Sequence, residues 1–224
     1  MTGATTELIL LVAAWSGYFA LHSALASLRV KRWVAARRPG LMPAYRLTYV
    51  GLAVLLLGVP VAVALRQAGA PLWEWQGPWR WAADALAALA ALGFLWTLRH
   101  YDLGEFLGLR QLRAGTQTVE DQEHLKLTLA HRFVRHPWYF LGLVALWTRP
   151  MDPAGLVSAL CISGYLVLGS RLEEHKLIAY HGEVYRRYRR SVPALFPLPW
   201  RHLTAQAAAD LQADVRGTPG TSPS

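Results

Sequence analysis

Apolar residues in this chain do not alternate or recur on one face; they run in blocks. Residues 8–28 are apolar except for Ser16, His22, Ser23 and Ser27, and residues 45–65 form a second apolar block with Arg46 at its entrance. A third block covers 82–98, rich in Ala and Gly, with Asp84 near its start. Blocks this long match the ~20 residues that carry a helix across a bilayer. A fourth, 138–148, falls short of a full span, and a fifth follows over 154–170 after the turn Arg149-Pro150-Met151-Asp152-Pro153. The fourth and fifth therefore predict a short helical hairpin, and both of its ends lie on one side of the membrane. The fold class expected is all-α: an integral membrane protein of about five segments, the last two a hairpin followed by a cytoplasmic helix.

The polar stretches between the blocks assign the sides. Lys and Arg concentrate in 29–44, 99–137 and after 171, the bias expected of cytoplasmic loops. The 66–81 loop instead gathers Trp73, Trp75, Trp79 and Trp81 around Pro71 and Pro78, as an interfacial belt on the opposite side would. Gly58 and Pro60 predict a bend in the second span, which neighbouring helices accommodate. The N-terminal block lacks a preceding basic region and reads as a retained span. Residues 1–202 are expected to form one membrane domain, with its catalytic part over 99–200, and 203–224 a frayed helix and flexible tail.

Composition changes this picture little. Of 224 residues, 54% are hydrophobic and 17% charged, too few charges for a soluble chain of this length. The net charge of +9 sits beside apolar blocks, which fits anionic lipid and not nucleic acid. A single cysteine, Cys161, excludes a disulfide framework and a thiolate metal cluster. The histidines lack zinc-like pairing: His175 and His181, six apart, fall on different faces of a helix, so no metal site is expected.

Two stretches carry candidate chemistry. In Arg135-His136-Pro137-Trp138-Tyr139-Phe140-Leu141-Gly142 the proline is pre-set for a first helical turn. Arg135 and His136 then sit at a helix mouth, where amides and the dipole can hold a carboxylate; a basic membrane anchor has the same look. Past the hairpin come Glu173-Glu174 and then Tyr185, Tyr188 and Arg189. Paired carboxylates at the cytoplasmic end of a membrane helix oppose its dipole, although an amphipathic lipid-facing helix also accounts for the basic residues beyond them. His22, inside the first block, is a further functional candidate because ionisable groups are expensive in a membrane.

Together the stretches are more specific. Arg135-His136-Pro137, Tyr139 and Gly142, then Glu173-Glu174 with Leu177, then Gly182, Tyr185, Tyr188 and Val192-Pro193 resemble the isoprenylcysteine and phospholipid methyltransferase superfamily of membrane enzymes. His22-Ser23 with Lys31-Arg32-Trp33 is similar to the first helix of its methanethiol S-methyltransferase and denitrification-associated branches. Tyr101-Asp102-Leu103 with Gly108-Leu109-Arg110-Gln111 is similar to a stretch of the methanethiol branch, with an insertion around Gly104-Glu105. The resemblance implies an S-adenosylmethionine-dependent methyltransferase acting on a small or lipophilic thiol. Other acceptors in the superfamily are prenylcysteine carboxylates and lipid amines, and the denitrification-associated branch implies a non-enzymatic membrane factor. It further implies that Arg135, His136, Pro137, Tyr139, Gly142, Glu173, Glu174, Tyr185, Tyr188 and Arg189 enclose the cofactor on the cytoplasmic side of a bacterial inner membrane. Glu173, Glu174 and His22 are the candidates for taking the thiol proton.

The loop charges make a topology prediction. A cysteine replacing Gln76 should react with an impermeant thiol reagent added outside intact cells, and one replacing Gln117 should not. The reverse labelling pattern would overturn the assignment.

Overall fold

A computed structural model describes residues 3–100, 102–116, 125 and 127–217. Tyr101, Gln117, Lys126 and the end of the chain after 217 lie outside the described residues. Among the described residues the α-helices are α1 (Gly3–Ala26), α2 (Leu28–Arg37), α3 (Met42–Arg66), α4 (Pro78–Leu98), α5 (Leu103–Leu107), α6 (Leu109–Ala114), α7 (Pro137–Trp147), α8 (Pro153–Ser191) and α9 (Ala205–Gly217). Four of them, α1, α3, α4 and α8, are long and apolar enough to cross a membrane, while α7 is shorter. Their outer surfaces are what lipid requires. Leu55 and Val54 on α3 and Leu89 and Leu92 on α4 are mostly exposed, and water would penalise such continuous apolar faces. α3 continues without interruption through its buried Pro60.

The chain divides into two compact units. The first takes in residues 1–81, 98–122 and 149–162. Its core is Leu11, Trp15 and Ala154, and the buried Trp15 indole donates to Ser158 Oγ at 3.0 Å. Tyr45 of α3 donates to the Leu25 carbonyl at 2.7 Å, tying α3 to the end of α1. Ser27 caps α2 through the Val30 amide, and Asp102 caps α5 through the Glu105 amide. Both are N-cap residues because a short side-chain oxygen can satisfy an otherwise unpaired helix amide. The Trp-rich loop joins the turn ahead of α8. Leu72 donates to Met151 O at 2.7 Å, Met151 donates to Trp73 O at 3.2 Å, and Asp152 accepts from the Gly69 amide.

The second unit comprises residues 82–97, 123–148 and 163–224. α4 meets α7 where Gly93 faces Leu141, and Trp138 donates to Thr97 Oγ1 at 2.8 Å. α8 does not stop at Ser170, where the apolar block ends. It continues through the charged residues to His181, bends at Gly182 (φ 53, ψ −127) and resumes as far as Ser191. A straight helix would separate Glu174 from Arg189 by about 22 Å. The reversal at Gly182 instead brings the Arg189 Nε to 4.0 Å from Glu174 Oε2. The returning arm buries Tyr185, Tyr188 and Val192 against Leu125, Leu203, Ala208 and Leu211.

α9 is therefore packed where the sequence suggests a fraying helix. Ala208 and Leu211 supply its apolar contacts, and Gln212 reads a backbone edge, accepting from the Leu127 amide and donating to the Leu125 carbonyl at 2.8 Å each. Asp214 pairs with Arg187.

The turn between α5 and α6 depends on Gly108. Its φ is +86, and a Cβ there would lie 2.6 Å from the Leu47 amide nitrogen. Gly115 is also left-handed (φ +62) but has open space around it. Gly115→Ala should cost about 1 kcal/mol from the backbone alone. Gly108→Ala should cost clearly more, with α3 displaced; equal midpoints for the two variants in denaturant titrations in micelles would contradict this.

Candidate active site

The site assembles entirely within the second unit. A residue before proline avoids helical geometry, and His136 accordingly sits at φ −120, ψ 72 just before Pro137 opens α7. The extended 135–136 backbone pairs with another chain segment: Arg135 N donates to Pro193 O at 2.9 Å and His136 N to Ala194 O at 3.0 Å. The two amides expected at the helix mouth for a carboxylate are thus spent on holding residues 193–194.

The side chains converge on Glu174, which is buried at 7% exposure. Its Oε1 accepts from Arg135 Nε at 2.9 Å, from Arg135 Nη2 at 2.7 Å and from His136 Nε2 at 3.2 Å. Arg135 Nη1 donates to the carbonyls of Arg189 (2.9 Å) and Val192, so one guanidinium links a carboxylate to the end of α8. Arg201 adds a second cation there, donating to Arg190 O at 2.7 Å. Cations suit the carbonyl end of a helix both as donors and through its dipole.

His136 lies between two carboxylates. Its Nε2 faces Glu174, and its Nδ1 is 3.3 Å from Glu173 Oε2. Only the imidazolium can donate from both nitrogens. Burial opposes that charge, but the hydrogen bonds and charges of Glu173 and Glu174 outweigh it and raise the pKa of His136 above 6.5. Glu174 lies beyond the apolar part of α8. Burial pushes its pKa up, yet His136 and Arg135 hold it below the usual carboxylate range. The neighbouring His131 behaves oppositely: burial, with the His136 charge, lowers its pKa to about 4, and its Nδ1 accepts from Thr128.

Glu173 is the exposed member, its side chain 41% accessible. Tyr139 donates to Glu173 Oε2 at 3.3 Å and stacks on His136 with ring centroids 5.2 Å apart. Successive residues on a helix point about 100° apart, so Glu174 faces a cavity and Glu173 faces α7.

That cavity, about 640 Å³, lies between α8 and the 193–198 segment. Its charged side is Arg135, Arg171, Glu174, His175 and Arg189; its apolar side is Val167, Leu195, Phe196 and Leu198, with Ser170, Pro193 and Ala194 between. Its size suits a small-molecule site.

Comparison with known proteins adds the family. A methanethiol S-methyltransferase of Mycobacterium tuberculosis (strain ATCC 25618 / H37Rv) is 34% identical over 193 residues, covering 83% of this chain and 77% of that protein. Methanethiol S-methyltransferase 2 of Bradyrhizobium diazoefficiens is 33% identical over 197 residues, covering 85% and 74%. A methanethiol S-methyltransferase of Pseudomonas sp. (strain GM41(2012)) is 31% identical over 188 residues, covering 80% and 69%. The chain belongs to the methanethiol S-methyltransferase family. No family model matches it. No solved structure matches it either.

In this member of the methanethiol S-methyltransferase family, the sequence-predicted residues separate into groups. Arg135, Glu174 and Arg189 line the cavity. His136, Tyr139 and Glu173 stand behind it as one hydrogen-bonded cluster. Tyr185 and Tyr188 are core residues, each 1% exposed, and Tyr188 donates to His131 O at 2.7 Å. Pro137 is buried at the start of α7, and Gly142 is exposed, with open space at its Cα. His22 lies on α1 in the first unit, 2.8 Å from the Tyr49 hydroxyl.

Sequence reasoning missed Val167, Ser170, Arg171 and His175 on α8. Their spacing with Glu174 marks one helical face, but that face crosses the boundary between the apolar block and the charged stretch. In the 193–198 segment only Pro193 carried a signal, through the Val192-Pro193 motif.

Removing Glu174 should be costly. Glu174→Ala leaves a buried Arg135 and His136 without their shared partner, for which about 3–5 kcal/mol is expected; Glu173→Ala should cost far less. Because the folded pKa of Glu174 lies below 4.5, its contribution is present above that pH and lost as pH falls through the folded value. The stability gap between the native chain and Glu174→Ala should therefore narrow on acidification. A gap that is small at neutral pH, or that widens in acid, would contradict the network.

Proposed function

We propose that this protein is an S-adenosylmethionine-dependent methyltransferase of the bacterial inner membrane that methylates the sulfur of a small thiol, with its site on the cytoplasmic side. The observation that carries the cofactor reading is the two-sided cavity. S-adenosylmethionine pairs a charged amino-acid end with a flat apolar purine, and the cavity sets cations against an apolar wall. Arg171 and Arg189 are the residues that would hold the carboxylate. Val167 and Leu195 would take the purine.

When bound, the cofactor supplies an electrophilic methyl group on a sulfonium. The protein's part is positioning and proton management. Methyl transfer from a sulfonium to a thiolate removes charge, so a dry site favours it, and a fixed approach line supplies much of the rate. The acceptor must lose a proton to become nucleophilic. Glu174 is the poorer acceptor, because His136 and Arg135 hold its carboxyl below the usual carboxylate range. Glu173 is the better candidate: it is accessible, and its contacts with Tyr139 and His136 both fall on one oxygen. The small-thiol assignment follows from the names of the relatives, each a methanethiol S-methyltransferase.

Calorimetry on the purified protein in detergent should show S-adenosylhomocysteine binding at micromolar affinity, about −8 kcal/mol. Labelled S-adenosylmethionine should yield a volatile methylated product with methanethiol and none with a prenylcysteine analogue or a phospholipid amine. Glu173→Gln should lower turnover by about 10²–10⁴-fold, the range for loss of a general base, while keeping S-adenosylhomocysteine affinity. No binding at millimolar ligand would end the cofactor reading. Turnover with prenylcysteine alone would end the small-thiol reading. Full activity of Glu173→Gln would remove Glu173 from the chemistry.

A further inference from the structure

The segment after α8 carries an exposed aromatic surface, of which Phe196 also borders the cavity. Phe196 is 58% exposed and Trp200 76%, and in the same unit Leu129 and Phe133, the latter next to Arg132 in sequence, are exposed as well. Basic residues are interleaved with the rings. The Arg132 guanidinium lies 5.6 Å from the Phe133 ring centre, and the His202 ring stacks on Phe133 at 5.8 Å. Arg201 follows Trp200 directly.

Two observations place Phe196 beside the apolar segments of α7 and α8. Phe196 meets Phe140 edge-on with ring centres 6.2 Å apart, and Phe140 is in the first turn of α7, where the apolar segment begins. Phe196 also shares the cavity wall with Val167 and Arg171 of α8. At that level α8 turns Leu168 and Leu172 outward, both about half exposed. The aromatic surface is thus continuous with the lipid-facing surface of α7 and α8, at the end where arginines begin. Amphipathic rings with basic neighbours favour the headgroup layer, and basic residues there attract anionic lipid.

We propose that residues 193–202, with Leu129 and Phe133, form an interfacial strap whose Phe196 and Trp200 insert among anionic phospholipid headgroups of the membrane the protein spans. Pro193 to Phe196, with Leu198, wall the cavity from the strap, so the lipid holds that wall in place. The inference does not depend on which ligand fills the cavity.

The test measures depth. In a Cys161→Ala background, single variants Phe196→Cys, Trp200→Cys and, as control, the exposed α9 position Gln206→Cys carry a nitroxide in nanodiscs. One disc is phosphatidylcholine alone and the other includes phosphatidylglycerol. Labels at 196 and 200 should collide several-fold less with a water-soluble nickel chelate than the label at 206, and collide readily with oxygen. Phosphatidylglycerol should deepen both. Nickel accessibility equal to that at 206 would overturn the proposal. So would indifference to phosphatidylglycerol, or shielding from both reagents that scales with protein per disc, which would mean a second copy covers the surface.

Discussion

The second unit is organised around one carboxylate oxygen. Glu174 Oε1 collects three hydrogen bonds from Arg135 and His136 in a setting nearly closed to water. Desolvating such charges costs several kcal/mol each, so the arrangement persists only because each member is satisfied. Arg135 achieves this by reaching past Glu174 to the carbonyls that end α8. Its own backbone, with that of His136, meanwhile pins residues 193–194. Arg135 thus ties α7, both arms of α8 and the strap together.

This division makes chemical sense of two adjacent acidic residues. One carboxylate serves structure, with Arg135 and His136 both bonded to its Oε1. The other sits a third of a turn away, half exposed, with a tyrosine hydroxyl and an imidazolium on one oxygen. Both raise the pKa of the histidine between them against its burial. Removing either acid therefore disturbs the other through His136, and additivity is not expected between such neighbours.

The membrane architecture was legible in the residue order because bilayer thickness imposes a length that apolar blocks record. α1, α3, α4 and α7 begin and end within a few residues of the expected positions. α8 was harder: Arg171 and Glu173 look like the close of a helix, but backbone hydrogen bonding does not stop where hydrophobicity does. The Arg-His-Pro and Glu-Glu stretches were visible as chemistry and do meet in space. Tyr185 and Tyr188 were visible too, but spacing on a helix does not say which face turns inward. Gly182 decides that by reversing the chain, and only the three-dimensional path reveals it.

α8 carries its lipid-facing leucines and its buried carboxylate on one uninterrupted stretch of helix between Ser163 and Glu174. The bilayer sets the height of the former and thereby the height and azimuth of the latter. Adding one residue to that stretch would swing Glu174 by about 100° and shift it by about 1.5 Å, parting it from Arg135 without changing a single side chain. Length variation among natural versions of this protein should therefore be confined to the loops and to the chain beyond the strap, leaving the count of residues from membrane to carboxylate fixed.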